Sequence, residues 1–181
     1  MRNYNKISEL GTDSLRQNEK NFDRIRQMEL EKLIDAQCVI PKLSASSKKQ
    51  ALRELSQCAA EHTGQSRQII FDALLEREQL GTTGVGGGVA IPHGKLASLE
   101  NLYGLFARLE TPIDFESIDE KPVDLIFLLL APESAGADHL KTLSRVSRLL
   151  QDKALCEKLR GCDSCENLLA LITKRTPFPV N

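Results

Sequence analysis

Val123-Asp-Leu-Ile-Phe-Leu-Leu-Leu-Ala131 holds eight apolar residues in nine, and Pro132 follows at once. A run without alternating polar positions cannot leave one face in water, so it reads as a central strand covered on both faces. Pro132 has no N–H to donate to a ladder and stops it. Nine residues with Asp124 among them fall far short of the ~20 apolar residues that a bilayer-spanning helix needs, so no membrane insertion is expected. Such a strand demands two covering layers, and the flanking sequence must supply them.

Downstream, Leu140, Leu143, Val146, Leu149 and Leu150 recur at helical spacing and predict a helix from about residue 137. Another is expected to begin at Asp163, where Asp163 and Glu166 stand like a capping box. Upstream, residues 89–91 and 102–109 read as strands. Two helices precede them. Ser46 or Ser47 caps the first, whose Leu52, Leu55, Cys58 and Ala59 recur at spacings of three and four before Gly64 ends it. Ser66 caps the second, which runs through Ile69, Ile70, Ala73 and Leu74 to Leu80 and closes at Gly81. The expected fold is therefore α/β: a single domain with a mixed β-sheet flanked by helices on both faces.

The domain is expected to span residues 28–181, enough chain to bury a core without disulfides or metal. Residues 1–27 differ: seven apolar residues stand beside six basic and four acidic ones, too few to offset the entropy of ordering. They read as an N-terminal extension, disordered or loosely helical, with an amphipathic helix packed on the domain as the alternative and Met28 as an alternative start. They also lack an apolar core behind their charges, so nothing directs the chain out of the cytoplasm. Twenty-four basic against twenty-five acidic residues argue against a protein that binds nucleic acid by neutralising phosphates. With no Trp and two Tyr, base stacking is not supported either. Five scattered cysteines, an odd number, suit reduced thiols better than a disulfide framework.

Six of the eleven glycines lie within residues 81–94, which read Gly-Thr-Thr-Gly-Val-Gly-Gly-Gly-Val-Ala-Ile-Pro-His-Gly. That density implies tight turns or close backbone approach. A phosphate-binding P-loop fails here, because Gly94-Lys95 is followed by Leu96 and the required first glycine is Val89. The dinucleotide fingerprint fails at the same Val89. The run does deliver His93 between Pro92 and Gly94, at a strand end. Its imidazole, with an ordinary pKa of ~6.5, is a candidate nucleophile or general base, or else a histidine that fills a turn. Arg77, late on the second helix, is a candidate partner or a solvated arginine. His139 falls in the first turn of the helix after the central strand, where free N–H groups favour an anion, or it has no role. Together the three could hold one phosphoryl group, which needs positive charge and donors around its oxygens.

Three blocks in order carry a resemblance: Arg77-Glu78-x-Leu-Gly-Thr-Thr-Gly-Val-Gly-x-Gly-Val-Ala-Ile-Pro-His93-Gly-Lys95, then Pro122-Val-Asp-Leu-Ile-Phe-Leu-Leu-Leu-Ala-Pro132, then His139-Leu-Lys-x-Leu143. Over about residues 28–172 the chain resembles the enzyme IIA domain of the bacterial phosphotransferase system, fructose/mannitol superfamily, and most closely its nitrogen-regulatory branch. The resemblance implies that His93 accepts a phosphoryl group from the phosphohistidine of an HPr-like carrier, itself charged from phosphoenolpyruvate by enzyme I. It implies that His139 and Arg77 line the site, and that neither metal nor cofactor is needed. Regulatory targets such as transporters or kinases, in nitrogen- and potassium-linked metabolism, would then read the phosphorylation state. Lys95 after His93-Gly94, and the absence of an attached membrane or second carrier domain, lean toward that branch. A sugar-specific IIA that passes its phosphoryl group to a IIB partner, and an interaction module that is never phosphorylated, stand as alternatives.

Two other groupings are set aside. Cys58 and His62 with Cys162 and Cys165 have zinc-like spacing, but two segments about a hundred residues apart would have to meet. His62 reads instead as a charge at a helix C-terminus. Glu76 and Glu78, the acids Glu116, Asp119 and Glu120, and Asp138 read as solvated faces.

Overall fold

The computed structural model describes residue 30 and residues 32–173; the expected extension 1–27 and the chain beyond 173 lie outside the described residues. The central run forms β6 (Val123–Pro132), and every residue from Leu125 to Pro132 is buried. β5 (Tyr103–Ile113) pairs with it antiparallel, from Tyr103 opposite Leu130 to Ile113 opposite Val123. On the other side of β6, β3 (Val89–Ala90) and β4 (His93–Leu96) lie parallel to it in line, Val89 opposite Leu125 and His93 opposite Leu129. Ile91-Pro92 separates the two, and the Pro92 carbonyl accepts the Leu129 amide at 3.0 Å, so the line continues past the residue that cannot donate. β1 (Val39–Leu43) joins β5 in parallel, and β2 (Gly84–Gly86) closes the opposite side antiparallel to β3. The sheet is mixed, six-stranded, in the order β1-β5-β6-β3-β2 with β4 also on β6.

The two-residue period of β6 divides the core as the continuous apolar run requires. Leu125, Phe127 and Leu129 face one cluster, while Ile126, Leu128 and Leu130 face the other. α1 (Lys48–Thr63) and α2 (Arg67–Gln79) cover the second cluster with Leu52, Leu55, Ile70 and Leu74. α3 (Gly136–Leu150), α4 (Lys153–Arg160) and α5 (Cys165–Thr173) cover the first with Val146, Leu149, Leu159 and Leu168. Ser47 caps α1 by accepting the Gln50 amide, and Gly64 ends it in the left-handed conformation at φ +69°. Among the described residues no helix is long and apolar enough to cross a membrane.

Several local expectations need correction: β2 and β4 lie outside the strands expected, and Ser66 precedes α2 without a side-chain capping bond. β1 lies in a stretch where no element was expected; the strand tolerates Pro41 at the sheet edge, where the pairing register shifts between Ile40 and Leu43. α4 was also missed, although Asp152 caps it by accepting the amides of Ala154 and Leu155. Leu140 is not on the buried face of α3: it is 65% exposed, and His139 and Thr142 point inward instead. Finally, Ser164 rather than Asp163 precedes the last helix, its hydroxyl accepting the Asn167 amide, while Asp163 pairs with Arg108.

Candidate functional site

Three elements converge on His93. β4 begins with it, directly after Ile91-Pro92, and its Nδ1 lies 2.8 Å from the Ile91 carbonyl oxygen. A carbonyl can only accept, so Nδ1 carries the proton and Nε2 keeps the lone pair. That lone pair accepts the Nε–H of Arg77, at 3.0 Å. Arg77 sits in the last turn of α2, where its Nη1 also donates to the Gly81 carbonyl at 3.0 Å, so the guanidinium is held at two points. His139, the fourth residue of α3, brings its ring to 5.7 Å from that of His93 at an interplanar angle of 51°. The three residues singled out by the sequence are therefore neighbours in space.

Electrostatics favours neutral rings. Burial pushes the His93 pKa below its ordinary value and the Arg77 charge adds to this, against the opposing bond to Ile91. Burial likewise lowers His139, helped by His93 and Lys95. His139 is only 6% exposed, and its Nε2 is buried without a hydrogen-bond partner. A neutral His93 with its lone pair on Nε2, beside a fixed guanidinium, has the chemistry to act as a nucleophile toward an anionic electrophile.

The sequence reading missed Glu78. It is 8% exposed rather than solvated, and its carboxylate accepts the Thr83 amide at 3.0 Å, the Thr83 hydroxyl at 2.6 Å and the Lys48 ammonium at 3.2 Å. A signal was available: Ile70, Leu74 and Glu78 follow one another at spacings of four on the buried face of α2. Three other acids read as merely solvated also have partners, Glu116 with Lys48 at 2.5 Å, Asp119 with the Gly87 amide at 2.9 Å and Asp138 with Lys141 at 3.1 Å. Arg160 of α4 reaches the same glycine turn, donating to the Gly87 carbonyl and pairing with Asp124. Gly88, at φ +80°, holds a conformation that L side chains rarely adopt, and a Cβ there would stand 2.5 Å from the Arg160 guanidinium, which would have to shift.

The cysteine and histidine spacing set aside above leads to separate places. His62 Nδ1 lies 2.7 Å from the Cys58 carbonyl oxygen, and its ring stacks on Tyr103 at 6.3 Å. Cys165 donates to the Val39 carbonyl and Cys162 to that of Ser164. Among the described residues no three His, Cys, Asp or Glu side chains cluster as a metal site would need.

The chain is similar to proteins of known family. The sequence model of the family described as "Phosphoenolpyruvate-dependent sugar phosphotransferase system, EIIA 2" matches residues 32–175. A nitrogen regulatory protein of Bradyrhizobium diazoefficiens is 55% identical over 145 residues, 80% of this chain and 95% of that protein. The crystal structure of the nitrogen regulatory protein IIA-Ntr from Neisseria meningitidis superposes with a TM-score of 0.76 at 34% identity, covering 79% of this chain and 98% of that one. The mannitol IIA of Escherichia coli, 20% identical with a TM-score of 0.66 over 77% of this chain and 98% of its own, shares the fold.

Proposed function

The chain belongs to the EIIA 2 family of the phosphoenolpyruvate-dependent sugar phosphotransferase system, in its nitrogen-regulatory branch, and from that premise we propose that His93 Nε2 accepts a phosphoryl group from the phosphohistidine of an HPr-like carrier. The observation that carries this reading is the division of the ring: Nδ1 bound to the Ile91 carbonyl, Nε2 turned to Arg77. As the donor approaches in line, the Nε2 lone pair forms the new N–P bond. The donor's P–N bond breaks and its electron pair returns to the donor imidazole. The proton stays on Nδ1, hydrogen-bonded to the Ile91 carbonyl, whose dipole offsets part of the positive charge the ring gains. Arg77 exchanges its bond to Nε2 for bonds to the phosphoryl oxygens, and His139 lines the far side. This supplies positioning and fixed charge, the two contributions that phosphoryl transfer demands.

The output of this chemistry is a phosphorylation state, in the cytoplasm, that target proteins such as transporters or kinases read to regulate nitrogen- and potassium-linked metabolism. The naming of the 55%-identical relative supports that branch over sugar transport. The test is intact mass after incubation with phosphoenolpyruvate, enzyme I and a charged HPr-like carrier. The native chain is expected to gain one acid-labile phosphoryl group and His93→Ala none. A native chain that stays unlabelled would sink the reading, and rapid onward transfer to a fructose- or mannitol-type IIB partner would show a sugar-transport output in place of the regulatory one.

A further inference from the structure

Adjacent residues of one helix control the two nitrogens of His93. Arg77 addresses Nε2 directly. Glu78 addresses Nδ1 through an unbroken series of bonds. Its carboxylate accepts both the amide and the hydroxyl of Thr83; the Thr83 carbonyl accepts the Ile91 amide at 2.9 Å; the Ile91 carbonyl accepts the proton on His93 Nδ1 at 2.8 Å. Ile91 precedes a proline, which confines its backbone to the extended region. On the other side the Pro92 carbonyl is held by Leu129. What fixes the Ile91 amide is Thr83, and what fixes Thr83, in the short connection after α2, is Glu78. Lys48 holds the carboxylate from α1.

We propose that Glu78 is a positioning residue for phosphoryl transfer, acting through Thr83 and Ile91 to keep His93 in the tautomer whose lone pair lies on Nε2. The inference rests on the reading of His93 as the acceptor. Thr83 is buried, so its amide and hydroxyl have no water to turn to when the carboxylate is removed. The connection must then move to satisfy them, and the Ile91 carbonyl moves with it. Without that acceptor the Nδ1–H tautomer keeps only one of its two supports, the Arg77 bond to Nε2, and any ring proton that moves to Nε2 blocks the nucleophile.

Three substitutions, with His93→Ala as control, and one spectroscopic readout decide the matter. Phosphoryl acceptance from the carrier and the His93 tautomer, read by ¹H–¹⁵N correlation of the ring, are measured together for native protein, Glu78→Ala, Glu78→Gln and Thr83→Val. Glu78→Ala is expected to accept about tenfold more slowly or worse, with ring signals shifted away from pure Nδ1–H. Glu78→Gln keeps an acceptor for the Thr83 amide and leaves Lys48 paired with Glu116, so it is expected within about threefold of native, with the native tautomer. A folded Glu78→Ala that accepts at the native rate with the Nδ1–H tautomer intact, while His93→Ala takes no label, overturns the positioning role and leaves the acceptor reading standing. Equal slowing in the Ala and Gln variants with a native tautomer also overturns it, since charge and not position would then matter. If Glu78→Ala does not fold, Thr83→Val carries the test: slower acceptance with a shifted tautomer supports the role, and native behaviour in both refutes it. Label on His93→Ala would instead remove the acceptor reading itself.

Discussion

His93 is held at a compromise between shielding and access. Its ring is buried enough to disfavour the imidazolium, while the Arg77 charge disfavours it further and the Ile91 bond opposes both. Folding therefore excludes a proton that the unfolded chain would bind below ~6.5. The stability contributed by this group is present above that value and is lost as pH falls toward and through the lower folded pKa. Acceptance is expected to follow the same neutral ring: flat above pH ~6.5, with its acid limb below it. Arg77→Met should move that limb upward, by removing one of the two influences that lower the pKa, and should slow transfer by about a hundredfold through loss of fixed charge. Arg77→Lys should recover only part, since an ammonium cannot reach both the ring nitrogen and the Gly81 carbonyl as the planar fork does. A rate profile with parallel NMR titration of His93 checks this; an unmoved acid limb in Arg77→Met would show that burial alone sets it. The sequence made His93 and His139 legible because Pro92, Gly94 and a helix start mark unusual backbone, while Arg77, late on its helix, carried no such mark. Glu78 was less legible, since its charge spoke for solvent while its spacing from Ile70 and Leu74 spoke for the core.

Apart from α4, with its Asp152 cap, elements built on strong local signals agree with the sequence, and those created by tertiary pairing do not. α1 has its serine cap, its apolar spacing and its terminal glycine, all within the element. β4 reads His-Gly-Lys-Leu and carries no strand pattern; it exists because β6 offers it a parallel partner, His93 to Leu129 through Leu96 to Pro132. α3 shows how spacing can mislead. Leu140 and Leu150 both fit a leucine stripe, yet the first is exposed and the second buried in the core beside Val146 and Leu149. The helix turns so that His139 faces His93, which carries Leu140 outward. Urea denaturation is expected to separate them: Leu150→Ala should cost about 2–5 kcal/mol, and Leu140→Ala within about 0.5 kcal/mol of nothing. Equal costs would mean that α3 is rotated relative to its present setting and that His139 does not face the site.

The site lies where the two covering layers meet the sheet. Arg77 comes from the α1 and α2 layer, His139 from the layer of α3 to α5, and His93 from the strand line between β6 and β2. Neither layer alone can assemble it, because each supplies one of the two groups that face the imidazole. The continuous apolar run of β6 announced two layers; it could not announce which helix would go to which face, since that depends on the parity of its alternating side chains. That parity also couples the layers mechanically. Phe127 packs into one core and Leu128 into the other, one peptide apart and both fully buried. A strand cannot release one face while keeping the other, so the two cores are expected to melt as one unit. Phe127→Leu and Leu128→Ala should therefore each shift a single transition, seen at the same denaturant concentration by far-ultraviolet circular dichroism and by the ring signals of His93. Two separated transitions, or a His93 signal lost well before the helices, would show that the layers unfold independently and that the site is held by one of them.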